Sequence, residues 1–153
     1  PCLFNEEWIF SEDSTMEYDA NGDVYAETYM GVAAEGCTPE TNLTYPHDAW
    51  ASGIHSFEII PGNGPLPDQL KVNGLGAFIG IPKAANGGEV SSPVTSVTYD
   101  ILSMTDVAGD RYMEIECDFG GGLWRFTLYS ELTATGRLLV GDDRQLSVQI
   151  KTP

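Results

Sequence analysis

The chain has 153 residues, of which 42% are hydrophobic, and 23 acidic side chains against seven basic ones give a formal net charge of −16. That composition describes a globular chain, able to bury roughly 70% of its unfolded surface, and excludes a disordered one. The charge excludes nucleic acid and anionic membranes as partners, and a strongly anionic polysaccharide unless a cation bridges.

The acids are unevenly spread. Residues 1–70 hold thirteen of them and no Lys or Arg, which leaves ten acids against all seven bases. No apolar run approaches 18 residues, so no membrane insertion is expected. The length suits one domain over residues 1–153. A chain opening on Pro1 reads as a mature form, or as a module flanked by other domains in something longer. Of Cys2, Cys37 and Cys117, no pair has the Cys-x-x-Cys spacing of zinc or redox sites. A Cys2–Cys37 bridge suits an oxidising compartment and leaves Cys117 as a buried thiol in a strand.

In chain order, nearly everything reads as short strands between turns. Glu7–Phe10 and Thr15–Tyr18 are strands around the turn Ser11–Ser14. Asn21-Gly22 is a primed hairpin turn, because both positions tolerate positive φ. From Asp23 to Tyr29, Val24, Ala26 and Thr28 alternate with Tyr25, Glu27 and Tyr29. Residues 31–53 form a long excursion, and a loop of that length in a compact domain is more often functional than not. Ile54–Ile60 and Gln69–Val72 resume the strands.

The stretch from Asn73 to Val90 organises the chain. It contains five glycines (74, 76, 80, 87 and 88) within an apolar run. Glycine weakens a strand, so this density implies the close approach of another backbone, a ring or a ligand. Ala77–Ile81 reads as a strand closed by Pro82, and Asn86-Gly87-Gly88 as a turn. Strands then follow at Thr95–Met104, and at Arg111–Asp118 and Leu123–Tyr129, joined through Phe119–Gly122. The tail offers Arg137–Val140, an Asp142-Asp143 turn and Gln145–Ile150. Many short, evenly spaced strands predict an all-β, two-sheet antiparallel β-sandwich, jelly-roll-like in topology.

Three constellations could carry chemistry. Aromatic rings stack on the apolar faces of sugars, and Trp50 sits in the long excursion where no strand period asks for a core residue. It is the expected exposed platform, with Tyr45 beside it. Trp124 shares a strand face with Phe126 and Leu128, a core position, and is kept as a further ligand candidate. Lys83, Asn86 and Glu89 are placed to hydrogen-bond ligand hydroxyls. Secondly, Glu114, Glu116 and Asp118 fall on one strand face. Paired carboxylates about 5–5.5 Å apart serve retaining glycosidases, and this run resembles the Glu-x-Asp-x-x-Glu strand of glycoside hydrolase family 16, with the acids in a different order. A solvated strand face beside Arg111 and Arg125 is the better account of it. Thirdly, Asp19, Asn21 and Asp23 offer oxygens to a Ca2+ ion, although a hairpin turn accounts for the same residues and an EF-hand loop would need Glu where Met30 stands. No motif requires another cofactor. Asn42-Leu43-Thr44 matches a glycosylation sequon.

The order of motifs resembles a known family. Trp8-Ile9-Phe10 leads to Met16-Glu17-Tyr18-Asp19, then to Ser52-Gly53-Ile54-His55-Ser56-Phe57 and Gly76-Ala77-Phe78-Ile79-Gly80-Ile81-Pro82-Lys83. Val97-Thr98-Tyr99-Asp100-Ile101 and Leu123-Trp124-Arg125-Phe126-Thr127-Leu128 follow. Over residues 2–130 this is similar to the β-sandwich domain found beside PKD repeats in surface glycan-binding proteins of marine Bacteroidota. The resemblance implies a non-catalytic carbohydrate-binding module at the cell surface, capturing a neutral β-glucan such as laminarin. The alternatives are a small family-16-like glycosidase using Glu114 and Glu116, or a lipocalin-like or purely structural spacer. The last would show a closed barrel or a featureless surface, with Trp50 packed inside.

Overall fold

A computed structural model describes Cys2, residues 5–131 and, as backbone strands, Arg137–Val140 and Gln149–Ile150. The expected Asp142-Asp143 turn and most of the last expected strand lie outside the described residues. The fold is all-β, with no α-helix among the described residues, and it is sandwich-like. One long sheet curls until its two halves face each other across a shared core. In sheet order it runs β12 (Arg137–Val140), β11 (Leu123–Glu131), β10 (Asp110–Asp118), β9 (Ser96–Val107), β6 (Gln69–Asn73), β5 (Gly53–Ile60), β2 (Thr15–Asp19), β1 (Glu7–Phe10) and β13 (Gln149–Ile150). β12 also pairs with β1, Glu7 opposite Leu139, so the curl closes. β13 runs parallel to β1, and every other pairing is antiparallel.

The connectivity corrects the jelly-roll expectation. Apart from β13, each strand of this sheet pairs with the next of its strands along the chain, an up-and-down meander without the crossovers of a jelly roll. Short strands β3 (Asp23–Ala26) and β4 (Gly36–Pro39) form one separate hairpin, and β7 (Ala84–Ala85) and β8 (Gly88–Glu89) another. The first interrupts the chain between β2 and β5, the second between β6 and β9. Because the meander alternates direction, both insertions leave the sheet at the same end, together with the β10–β11 loop. That shared end is where the functional candidates collect.

Alternation decides the core. Trp8 and Phe10, Met16 and Tyr18, Leu70 and Val72, Val97 and Tyr99, Met113, Ile115 and Cys117, and Phe126 and Leu128 all point inward and are buried. The glycine-rich stretch departs from the expected reading: residues 77–81 are not a strand of the ladder. They form a plug inside the curl, with Ala77, Phe78 and Ile79 almost wholly buried. Buried backbone needs partners, and side chains provide them. The Trp8 indole donates to the Phe78 carbonyl at 2.7 Å. The Tyr99 hydroxyl accepts from Ile79 N–H at 2.8 Å and donates to its carbonyl at 3.2 Å. Rings close around the plug, Phe78 meeting Trp8 edge-on at 5.9 Å and Tyr18 at 4.9 Å.

The glycines permit this approach, as their density implied. At Gly76 (φ +79) a β-carbon would lie 1.9 Å from the Ala49 carbonyl oxygen. At Gly80 (φ +86) it would lie 2.3 Å from the Phe126 ring. The approaching groups are thus another backbone and an aromatic ring of the same chain. The Asn21-Gly22 turn has the expected positive φ at both positions, but it closes no hairpin: β2 pairs with β1 and β5, and β3 pairs with β4 in a separate sheet.

Candidate functional site

At the shared end, three of the residues expected to bind ligand meet. Lys83 leaves the plug just before β7, Glu89 ends β8, and Trp124 opens β11. Lys83 Nζ lies 3.0 Å from Glu27 Oε1 and 3.9 Å from Glu89 Oε2. The Trp124 indole donates to Glu89 Oε1 at 3.1 Å. Its ring is half-buried, parallel to Phe126 within 8° at 6.5 Å and tilted against Phe119 at 6.2 Å. The hydrogen bond to Glu27 raises the Lys83 pKa, so this ammonium stays charged.

Beside this group opens a cleft of about 200 Å³. Tyr25 and Glu35 of the first insertion form one wall, with the Tyr25 hydroxyl donating to Glu35; Ile81, Pro82 and Lys83 of the plug form the other, over Met30. Tyr29, 36% exposed, has its phenol pushed up to about 12, first by burial and then by the carboxylates of Glu27 and Glu89. The cleft therefore combines a tyrosine edge, apolar walls and fixed carboxylates around one ammonium. Such a surface suits an uncharged, hydroxyl-rich ligand, through ring contacts and hydrogen bonds to charged groups. Glu27, Tyr25 and Glu35 were not among the residues singled out from the sequence. The signal was there, since Tyr25, Glu27 and Tyr29 occupy the outward phase of the alternation from Asp23, but only the fold places that face against Lys83.

The structure separates the other candidates. Trp50 is 2% exposed, in a single 3-10 turn over His47–Trp50, with its ring against His47 at 5.4 Å. The expected solvent-facing platform is therefore overturned. The long excursion folds back over the plug at Gly76, and its tryptophan becomes the lid of the core. Tyr45 is 86% exposed and makes no ring or hydrogen-bond contact among the described residues. Asn86 is a strut and not a free hydroxyl-binding group. Its amide donates to the Thr98 carbonyl at 2.8 Å and accepts from Thr98 N–H at 2.7 Å, tying the β7–β8 turn to β9.

The carboxylates of β10 face outward with an arginine. Arg125 bonds Glu116 at 2.5 and 3.0 Å and lies 3.7 Å from Glu114. Asp19, Asn21 and Asp23 surround the turn that links β2 to β3. Asp19 caps the Asn21 N–H at 2.7 Å, the Asn21 amide donates to the Asn5 carbonyl, and Asp23 accepts from Asn5 at 3.5 Å. The one convergent set of potential metal-ligating side chains among the described residues is Cys2, Asp23 and Cys37, and its two sulfurs are joined as a disulfide. Cys117 is a buried free thiol, its pKa raised to about 11 chiefly by burial. No helix among the described residues is long and apolar enough to cross a membrane.

No protein-family model, curated protein or solved structure matches the chain.

Proposed function

We propose that this chain is a non-catalytic glycan-binding module that holds a neutral β-glucan, of the laminarin kind, in the cleft at the shared end of the sheet. The observation that carries the reading is the linked group beside that cleft, in which Glu89 ion-pairs with Lys83 and accepts a hydrogen bond from the half-buried Trp124. Fixed charges next to an aromatic ring are what sugar recognition needs, one for hydroxyls and one for the apolar ring face. The Cys2–Cys37 disulfide supports an oxidising, extracellular setting.

Affinity electrophoresis against β-1,3-, β-1,4- and mixed-linkage glucans tests it. Retardation is expected on at least one of them. Trp124→Ala should weaken binding about tenfold or more, since ring stacking is worth ~1–3 kcal/mol where measured for bases on aromatic side chains. Lys83→Ala, at the rim, should weaken it while leaving Tm nearly unchanged. No retardation on any glucan by the folded protein would overturn the proposal.

A second reading has its own support. The β1–β12 closure and the burial of Trp50 are what a lipocalin-like or structural spacer domain predicts. Its interior is filled by side chains, so such a domain would act through rigidity and not through a central ligand. It predicts a stable fold with no glucan retention.

A further inference from the structure

Two buried polar atoms lack a hydrogen-bond partner among the described residues at the first insertion: Glu6 Oε2 and Trp50 Nε1. Glu6 is 3% exposed and Trp50 2%. Both line one narrow, partly open pocket of about 10 Å³, walled also by Tyr18, Met30, Leu43 and Phe78. A space of that size admits one water molecule and little else.

The chemistry of the two groups defines what belongs between them. Tyr18 Oη donates to Glu6 Oε1 at 2.8 Å, so Oε2 is the carboxyl oxygen left over. Burial raises the Glu6 pKa to about 8, with Asp23 adding to it and the Tyr18 hydrogen bond opposing it. At neutral pH the carboxyl is therefore mostly protonated and can present an O–H donor. The indole N–H is also a donor and can never accept. Two donors at one pocket need an acceptor with two lone pairs.

We propose that one structural water occupies this pocket, accepting hydrogen bonds from Glu6 and from Trp50. It would pin the long excursion to the segment leading into β1. Tyr25, Met30 and Pro82 line both this pocket and the cleft, so the water stands directly behind the cleft wall and stiffens it. The inference rests on the orphaned atoms and the pocket and is independent of any ligand.

The three indole protons offer a test in 15N-labelled protein at pH 6. Trp8 donates to the Phe78 carbonyl and Trp124 to Glu89, which leaves Trp50 as the indole whose partner would be water. Trp50→Phe assigns the resonance by its disappearance. A water-selective NOE experiment should give a cross-peak from Trp50 Nε1–H to a long-lived water. Glu6→Gln, which keeps a donor, should retain it, and Glu6→Leu should abolish it. Absence of the cross-peak in the wild type would overturn the proposal, as would its persistence unchanged in Glu6→Leu. A crystal structure showing no ordered water within about 3.2 Å of both atoms would do the same.

Discussion

Glu6 is a carboxyl buried with no cation beside it among the described residues, and the cost of that arrangement depends on pH. In the unfolded chain it ionises near 4.5, whereas in the fold it keeps its proton up to about 8. Between those values the folded state binds more protons than the unfolded one, so this group lowers stability as pH rises, and the penalty is complete above about 8. The groups facing it among the described residues are Tyr18 on β2 and Asp23 on β3, neither of which can carry a compensating positive charge. Glu6→Gln should therefore gain little Tm over the wild type near pH 4 and about 5 °C or more at pH 9. An equal gain at both values would refute the assignment. Trp50 makes the second prediction at this scale. With its ring enclosed, Trp50→Ala should cost about 3–5 kcal/mol in denaturant unfolding, the range for a core aromatic. A cost under 1 kcal/mol would return the indole to the surface.

The plug is the element on which the rest of the packing depends. It lies inside the curl without joining the ladder, held by Trp8 and Tyr99 and admitted by glycines. Gly80→Ala forces a methyl group into the Phe126 ring and also strains a positive φ. Gly87→Ala, at φ +83 but with open space around it, meets only the φ penalty of roughly 1–2 kcal/mol. The first substitution should exceed the second by about 1–3 kcal/mol, the usual cost of overpacking. Phe126→Leu should recover part of that excess in the double variant. Equal losses for the two alanines, measured by chemical unfolding, would mean that the plug relaxes away from β11.

At the scale of the whole molecule, one sheet makes both layers and one end receives both insertions. The first insertion is tied back to the chain start by Cys2–Cys37, which closes a loop of sequence separation 35. Opening it restores unfolded-state entropy worth about 2–4 kcal/mol. The Cys2→Ser/Cys37→Ser double variant should show this loss in denaturant titration, and an unchanged midpoint would mean that the bridge carries no stability. Cys117, buried with a raised pKa, should resist alkylation in the native protein and react only on unfolding.

Period-2 patterning and turn chemistry, both local, determined the strand content, the positive-φ turn at Asn21-Gly22, the β10–β11 hairpin and the inward set from Trp8 to Leu128. The density of glycines also announced a close approach, because only a missing β-carbon allows one. Local pattern could not say what approached, nor that Ala77–Ile81 would leave the ladder, since an apolar run looks the same in a strand as in a buried plug. Nor could it place Trp50: a tryptophan outside any strand period is exposed or buried according to where its loop folds back, and here the loop meets Gly76. The cleft has the same origin. Tyr25, Glu27 and Lys83 are scattered in sequence, and they meet because the antiparallel meander sends both insertions to the same end of the sheet, a long-range consequence of pairing that no short stretch encodes.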